Sequence, residues 1–192
     1  MRLLLIGYYG RHNIGDDLML MGLLDYLADR PEVSKITVLC HDDYYPQKPK
    51  TTYCKQTSLV SAVGLLRLAS ADAVIMGGGT CFAEQQELRH LRGMYRMVRL
   101  CRWFGRPFVF AGIGIGDLQS TEVISLAAKT LSSAHFLYFR DESSLQCCHA
   151  MGVQQPFVQV AGDLALLCTD HIAPVPQTTG QEIGRASCRE RV

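Results

Sequence analysis

The feature that most constrains the fold is a short apolar run that ends in glycine or in a charged pair, repeated along the chain. Amphipathic helical patterns separate most of these runs, which lie at residues 3–6, 73–76, 107–111, 135–139 and 157–160. A further strand-like run, at 35–40, has no such ending. Strands that alternate with helices in this way are typical of an open, mostly parallel sheet. The sequence therefore predicts a Rossmann-like α/β fold with helices on both faces of the sheet.

The segments between the strands predict helices and two loops. Asp16 is of a residue type suited to cap the first helix, and Asp141 and Ser143 to cap the last one. Residues 41–56 are polar and contain prolines, which favours a loop with one edge strand. Residues 169–181 are rich in Pro, Thr and Gly and are typical of a linker. The other helical patterns lie at residues 59–69, 87–104 and 121–132.

Charge and hydropathy argue against several classes of function. Lys and Arg number 19 against 18 Asp and Glu, so the chain lacks the basic field of a nucleic-acid-binding protein. No apolar run reaches the roughly 20 residues of a transmembrane helix, and the apolar start is too short for a secretory signal. We therefore expect a cytoplasmic protein.

The cysteines point to the same compartment. Seven of them precede residue 182, their number is odd, and no CxxC spacing occurs. This pattern argues against a disulfide framework and against a zinc site. We expect reduced cysteines that act as small apolar fillers, and no bound metal.

The last eleven residues differ from all that precede them. Residues 182–192 show neither a helical nor a strand period, and they resemble the translation of a sequencing adapter. We interpret them as a non-native tail, which interrupts the natural polypeptide near Gln181. The alternative is a natural polar tail.

The glycines predict where a ligand binds. Gly7, Gly77–Gly79 and Gly112–Gly116 each follow a predicted strand, and open α/β sheets bind ligands outside the carboxyl ends of their strands. Glycine lets the backbone approach a ligand closely, and the helix starts that follow favour anions. The alternative is that these glycines only form tight turns. Neither a P-loop nor a dinucleotide fingerprint occurs, which disfavours nucleotidases and dehydrogenases of those types.

Five segments, in this order and at this approximate spacing, resemble the polysaccharide pyruvyl transferase family. The resemblance covers roughly residues 2–167 and rests on the ordered set more than on any one motif. The segments are Gly7–Asp17, Gly77–Gly79, Gly112–Gly116, Tyr138–Ser144 and Gly162–Ala165.

The resemblance implies an architecture like that of GT-B glycosyltransferases, in which two Rossmann-like domains face a cleft. Residues 1–168 would be the N-terminal domain and 169–181 the start of the linker. The implied reaction moves the pyruvyl group of phosphoenolpyruvate to a sugar of a cell-surface polysaccharide or its lipid-linked precursor, as a ketal, without a cofactor. The absent C-terminal domain would be an intramolecular partner, so we expect this chain alone to be inactive. The protein would be cytoplasmic, either free or peripheral to the inner face of the membrane.

This chemistry suggests roles for residues near the predicted crevice. Arg140 would bind the carboxylate or phosphate of the donor, the alternative being an ion pair with Asp141. Asp16 would act as the base or orient an acceptor hydroxyl, the alternative being the helix cap. Asn13 would donate to a sugar hydroxyl or stabilise its own loop. The other candidate substrate-binding residues are Gly10, Gly15, Gly78, Gly79, Gly114 and Glu84.

Two sequence features and two other functions stay open. Tyr8 and Tyr9 are candidates to stack on a sugar ring or to pack in the core. Five arginines at helical spacing indicate a solvated face paired with local acids, or a contact with an anionic polymer or lipid-linked acceptor; they are Arg89, Arg92, Arg96, Arg99 and Arg102. The alternative functions are a GT-B-type glycosyltransferase that uses a nucleotide sugar and a non-catalytic anion-binding module.

Overall fold

The computed structural model describes residues 1–57, 61–85 and 88–171. In these ranges the chain forms eight β-strands, five α-helices and one 3-10 helix. The strands are β1 Arg2–Ile6, β2 Lys35–Cys40, β3 Thr51–Lys55, β4 Ala73–Gly77, β5 Thr80–Phe82, β6 Phe108–Ile115, β7 Phe136–Phe139 and β8 Val158–Val160. The helices are α1 Ile14–Ala28, α2 Ala62–Ser70, α3 Leu88–Trp103, α4 Thr121–Ser133, α5 Glu142–Ala150 and the 3-10 helix Leu164–His171.

The strands of the described ranges form one parallel sheet. Their order is β3-β2-β1-β4-β6-β7-β8, and the short β5 pairs with β6. Strand β1 lies at the centre, where Leu3 pairs with Ile36 of β2 on one side and with Ala73 of β4 on the other. The winding of the chain reverses at this point, which is where open α/β sheets bind ligands. The Rossmann-like α/β fold predicted from the sequence is confirmed.

Helices cover both faces of the sheet and create two apolar cores. Helix α1 packs on one face, and α2 to α5 pack on the other. Strand β1 serves both cores because successive side chains of a strand point to opposite faces: Leu3 and Leu5 face α1, whereas Leu4 and Ile6 face the other layer. A continuous apolar strand is therefore what this position requires. Each fully buried leucine stabilises the fold by roughly 1.5–3 kcal/mol.

The helix starts correct the cap predictions for Asp16 and Ser143 and confirm the one for Asp141. Ser143 lies inside α5, one residue after its start. Helix α1 begins at Ile14, and its N-cap is Asn13, whose Oδ1 accepts a hydrogen bond from the Gly15 amide at 3.1 Å. The interpretation of Asp16 as the cap is therefore wrong, because Asp16 lies inside the first turn. The prediction for Asp141 is confirmed, since its Oδ1 accepts from the amide of Ser144 at 2.7 Å and caps α5.

Two elements were not predicted. Strand β5 has only three residues, too few for a periodic signal. The 3-10 helix packs against α1 at Gly22, where an added Cβ would lie 2.8 Å from the carbonyl oxygen of Leu164. This helix extends past residue 168, the predicted end of the domain. The rest of the predicted linker and the tail at 182–192 lie outside the described residues.

Two expectations from the sequence concern the cysteines and the length of the apolar helices. All seven cysteines of the described ranges are free thiols. No helix within residues 1–57, 61–85 and 88–171 is both long and apolar enough to cross a membrane.

Candidate substrate-binding cleft

A cleft of about 1010 Å³ opens at the carboxyl ends of β1 and β4, the switch point of the sheet. The turns after these strands, at Gly7 and at Gly78 and Gly79, form its floor, and the start of α1 forms one wall. Helix α3 forms the opposite wall. Asn13, Gly15, Asp16, Gly78 and Gly79 line the cleft, whereas Gly10, Glu84, Gly114 and Arg140 do not.

Asp16 is the acidic side chain of this cleft. It is 8% exposed, and burial, followed by the nearby charge of Asp17, raises the pKa of its carboxyl group. No hydrogen-bond or ion-pair partner of this carboxyl group is found among the described residues. Gly79 brings the floor close to it: φ is +71° there, and an added Cβ would lie 3.2 Å from Oδ1 of Asp16. The carboxyl group is therefore held in a poorly solvated position with its proton-binding oxygens unused.

Asn13 combines a structural role with a place in the cleft. Its side-chain oxygen is engaged at the start of α1, as described above, so the loop-stabilising interpretation is confirmed. The side-chain amide nitrogen makes no hydrogen bond within the described residues. It is therefore the part of Asn13 that is left to contact a ligand.

A network of two tyrosines braces the loop between β1 and α1. The hydroxyl groups of Tyr44 and Tyr45 donate to the two carboxylate oxygens of Asp17, at 2.7 and 2.5 Å. The Tyr45 hydroxyl also accepts from the amide of Gly10 at 2.5 Å, and the Tyr44 hydroxyl accepts from the amide of His12 at 2.9 Å. Gly10 thus takes part in the support of the cleft and lies outside its lining. This network could not be predicted from the sequence, because its partners are far apart along the chain.

The two tyrosines of the first loop have different environments. Tyr9 is buried and donates to the carbonyl oxygen of Gly77 at 3.0 Å, and burial raises its pKa. Tyr8 is 57% exposed and lines the cleft, with the guanidinium of Arg11 4.7 Å from its ring centre. Tyr9 is therefore the packing residue, and Tyr8 is the one whose ring is exposed in the cleft.

Arg140 lies at the end of β7, on the same sheet edge as the cleft. Its Nε donates to Oδ2 of Asp141 at 3.0 Å, so the ion pair considered from the sequence is present. The guanidinium rests on the backbone of Gly114, where an added Cβ would lie 2.8 Å from Cζ. Its terminal nitrogens make no hydrogen bond within the described part of the chain, and 36% of the side chain is exposed. Burial raises the pKa of the Cys81 thiol, which lines the cleft. The positive charge of Arg140 acts in the opposite direction and lowers that pKa.

Glu84 is occupied at the start of α4. Its Oε2 accepts from the amides of Gln119 and Ser120, at 2.9 and 3.2 Å. These bonds lower the pKa of the carboxyl group, the Gln119 amide contributing most. The Glu84 side chain therefore connects the loop after β5 to the start of α4.

The arginines of α3 divide between two environments. Arg89 and Arg96 line the cleft together with His90. Arg92 instead pairs with Glu122 of α4, with 2.6 Å between Nη2 and Oε1. The interpretation of the whole row as a solvated, paired face is thus right for Arg92 and incomplete for the two arginines in the cleft.

These features define a Rossmann-like α/β protein with a ligand-sized, cation-lined cleft at its switch point. In the described ranges, no cluster of three or more His, Cys, Asp or Glu side chains has an arrangement that would hold a metal ion.

A family model described as polysaccharide pyruvyl transferase matches residues 13–189. The chain belongs to the polysaccharide pyruvyl transferase family, as the sequence resemblance indicated. No curated protein matches the chain. Among solved structures, uronate dehydrogenase from Agrobacterium tumefaciens is similar at 19% identity and a TM-score of 0.39. The similarity covers 58% of this chain and 41% of the dehydrogenase, and a tyrosine-to-alanine mutant of that enzyme complexed with NAD matches to the same extent. This chain therefore corresponds to less than half the length of that enzyme.

Proposed function

We propose that this protein takes part in the transfer of pyruvyl from phosphoenolpyruvate to a sugar of a cell-surface polysaccharide or its precursor. The family membership supports this reaction class. The observation that carries the proposal in this chain is the buried Asp16 carboxyl group, which faces a cleft at the switch point and lacks a hydrogen-bond partner among the described residues.

The reaction requires two hydroxyl groups of one sugar. One hydroxyl oxygen bonds to C2 of phosphoenolpyruvate while the methylene carbon C3 takes up a proton and becomes a methyl group. The bond between C2 and the phosphate oxygen then breaks, and the second hydroxyl oxygen takes its place. The products are a pyruvate ketal and inorganic phosphate, and the protons of the two hydroxyl groups balance those gained by the methyl group and by phosphate.

Asp16 would remove the proton from the attacking hydroxyl. A general base works best when its pKa lies near the working pH, and burial moves the pKa of Asp16 upward in that direction. Asn13, three residues earlier, would direct its amide nitrogen at the same sugar, and Tyr8 would pack against the sugar ring. The acceptor would then occupy the wall of the cleft that α1 forms.

Arg140 would hold the donor. Its two terminal nitrogens suit the planar carboxylate or the phosphate of phosphoenolpyruvate, and the Nε bond to Asp141 fixes the plane of the guanidinium. The glycine at position 114 permits this placement. In this proposal a second domain that faces the cleft completes the site and supplies the acid for C3, and the reaction takes place in the cytoplasm.

Calorimetric titration of the protein with phosphoenolpyruvate tests the donor assignment. We expect binding that Arg140→Gln weakens about tenfold, because a charge-assisted bidentate contact is lost. Arg99→Gln, an exposed arginine on α3 outside the cleft, is the matched control and leaves the affinity unchanged. Tight binding of a nucleotide sugar without binding of phosphoenolpyruvate would replace this proposal with the glycosyltransferase alternative.

A further inference from the structure

Helix α3 presents two of its five arginines to the cleft. Arg89 and Arg96 are seven residues apart, so they lie on the same helix face about 10 Å from each other along the axis. Both are exposed, and neither makes an ion pair or hydrogen bond with the described residues. Arg92 lies beside both on the helix surface but is turned toward α4, where it pairs with Glu122.

The surface between the two arginines is open. Gly93 lies between them and lines the cleft, and an added Cβ there would meet nothing within 4 Å. A glycine inside a helix costs about 1 kcal/mol relative to alanine. Here it leaves a trough along the helix surface where a larger side chain would narrow the cleft.

A third guanidinium faces the same space from the loop after β1. Arg11 is held by its contact with the Tyr8 ring and by a 3.3 Å hydrogen bond from Nη2 to Oε1 of Gln56. Among the residues that the structure describes, the charged lining of the cleft thus consists of three arginines against one carboxyl group, that of Asp16, with His90 as a further titratable group. Three cations that exceed the nearby negative charge fit a dianionic ligand better than a neutral sugar.

We propose that Arg89 and Arg96, together with Arg11, form a subsite for the phosphoryl groups of a sugar acceptor that carries a phosphate or diphosphate. The shared chemistry is a phosphoryl anion, which phosphoenolpyruvate also carries. The acceptor is favoured for two reasons. The cleft of about 1010 Å³ has the size of a site for a ligand much larger than phosphoenolpyruvate, and Arg140 lies outside its lining. The assignment to the acceptor rests on the proposed function, whereas the presence of a phosphoryl subsite does not.

Calorimetry with two probes, inorganic pyrophosphate and phosphoenolpyruvate, separates these points. We expect pyrophosphate to bind the protein, and Arg89→Gln and Arg96→Gln each to weaken it about tenfold. Arg92→Gln is the matched control on the same helix and leaves the affinity unchanged. Because all three side chains are exposed, each variant should melt within about 2 °C of the parent protein, since surface substitutions change stability little.

The outcomes distinguish failure of the subsite from failure of the proposed function. Pyrophosphate affinity that is the same in Arg89→Gln, Arg96→Gln and Arg92→Gln overturns the subsite. If Arg89→Gln and Arg96→Gln lose phosphoenolpyruvate binding while Arg140→Gln keeps it, the α3 arginines bind the donor. That result overturns the assignment to the acceptor. Pyrophosphate binding that depends on these arginines, in a protein that does not bind phosphoenolpyruvate at all, supports the subsite and contradicts the proposed function.

Discussion

At the scale of single residues, the cleft depends on Asp16 and on the glycine turn that faces it. Asp16 is buried beside a second acid, and burial is the larger cause of its raised pKa. Gly79 has a backbone conformation that other residues adopt with strain, and it leaves just enough space for the carboxyl group. Substitutions at the two positions should therefore change stability in opposite directions. Removal of the Asp16 charge should stabilise the fold, and a side chain at position 79 should destabilise it.

Asp16→Asn should make the fold more stable at neutral pH. The pKa of Asp16 is higher in the folded than in the unfolded chain, so the folded state binds more protons and loses stability as the pH rises through the folded pKa. Asparagine removes this loss. The melting temperatures of parent and variant should diverge as the pH rises through the folded-state pKa of Asp16, and they should converge at acidic pH. Equal melting temperatures at every pH would contradict the burial of a charged Asp16. Asp117→Asn, an exposed aspartate, is the control that shows no such divergence.

Gly79→Ala should destabilise the protein by about 2 kcal/mol, because the new Cβ meets both a left-handed backbone and Oδ1 of Asp16. Gly105→Ala is the matched control: φ is +65° there, but nothing lies within 4 Å of an added Cβ. Only the backbone strain remains at that position, about 1 kcal/mol. Chemical denaturation of both variants measures the difference, and equal losses would show that the contact with Asp16 contributes nothing.

At the scale of secondary-structure elements, the loop after β1 is fixed by the loop after β2. Asp17 in the first turn of α1 accepts from Tyr44 and Tyr45, which lie before β3. Burial raises the pKa of both tyrosine hydroxyl groups, and the hydrogen bonds to Asp17 raise it further. The hydroxyl groups therefore stay protonated and continue to donate, which holds Asn13 and Asp16 in place at the start of the helix.

Tyr45→Phe should cost about 1–3 kcal/mol, since it leaves the amide of Gly10 and one oxygen of Asp17 without their partner. Tyr26→Phe is the control, because that exposed tyrosine makes no hydroxyl hydrogen bond with the described residues. Denaturant titration measures both losses. An unchanged free energy of unfolding in Tyr45→Phe would mean that the bracing network does not stabilise the loop.

The elements also show which parts of the structure the sequence could predict. The apolar runs at 35–40 and 73–76 predicted β2 and β4, and the glycines after residue 76 marked the end of β4, because both are local signals. The cap at Asn13 and the network around Asp17 could not be predicted: the first depends on where the backbone turns, and the second joins residues 27 and 28 positions apart. The division of the α3 arginines likewise depends on which helix face meets the cleft, which helical spacing alone does not indicate.

At the scale of the whole molecule, the parallel sheet brings distant turns to one edge. Gly7, Gly78 and Arg140 follow the carboxyl ends of different strands. Because the strands are parallel, the topology alone places these residues at the same edge of the sheet. Two anion-binding groups result in our account: the guanidinium of Arg140 for the donor and the arginines of α3 for the acceptor. Asp16, the base in that account, lines the same cleft as the α3 arginines, on the wall that the start of α1 forms.

In the proposed reaction, a sugar hydroxyl at Asp16 attacks phosphoenolpyruvate. Proton NMR of the reaction of the full-length protein with phosphoenolpyruvate and a phosphorylated sugar acceptor in deuterated water tests it most directly. We predict a ketal methyl signal that carries one deuterium, the release of inorganic phosphate in equal amount, and a rate that Asp16→Asn lowers at least about 100-fold. Asp117→Asn should retain the parent rate. A ketal formed equally fast by Asp16→Asn, or transfer from a nucleotide sugar with no ketal formed, would contradict the account.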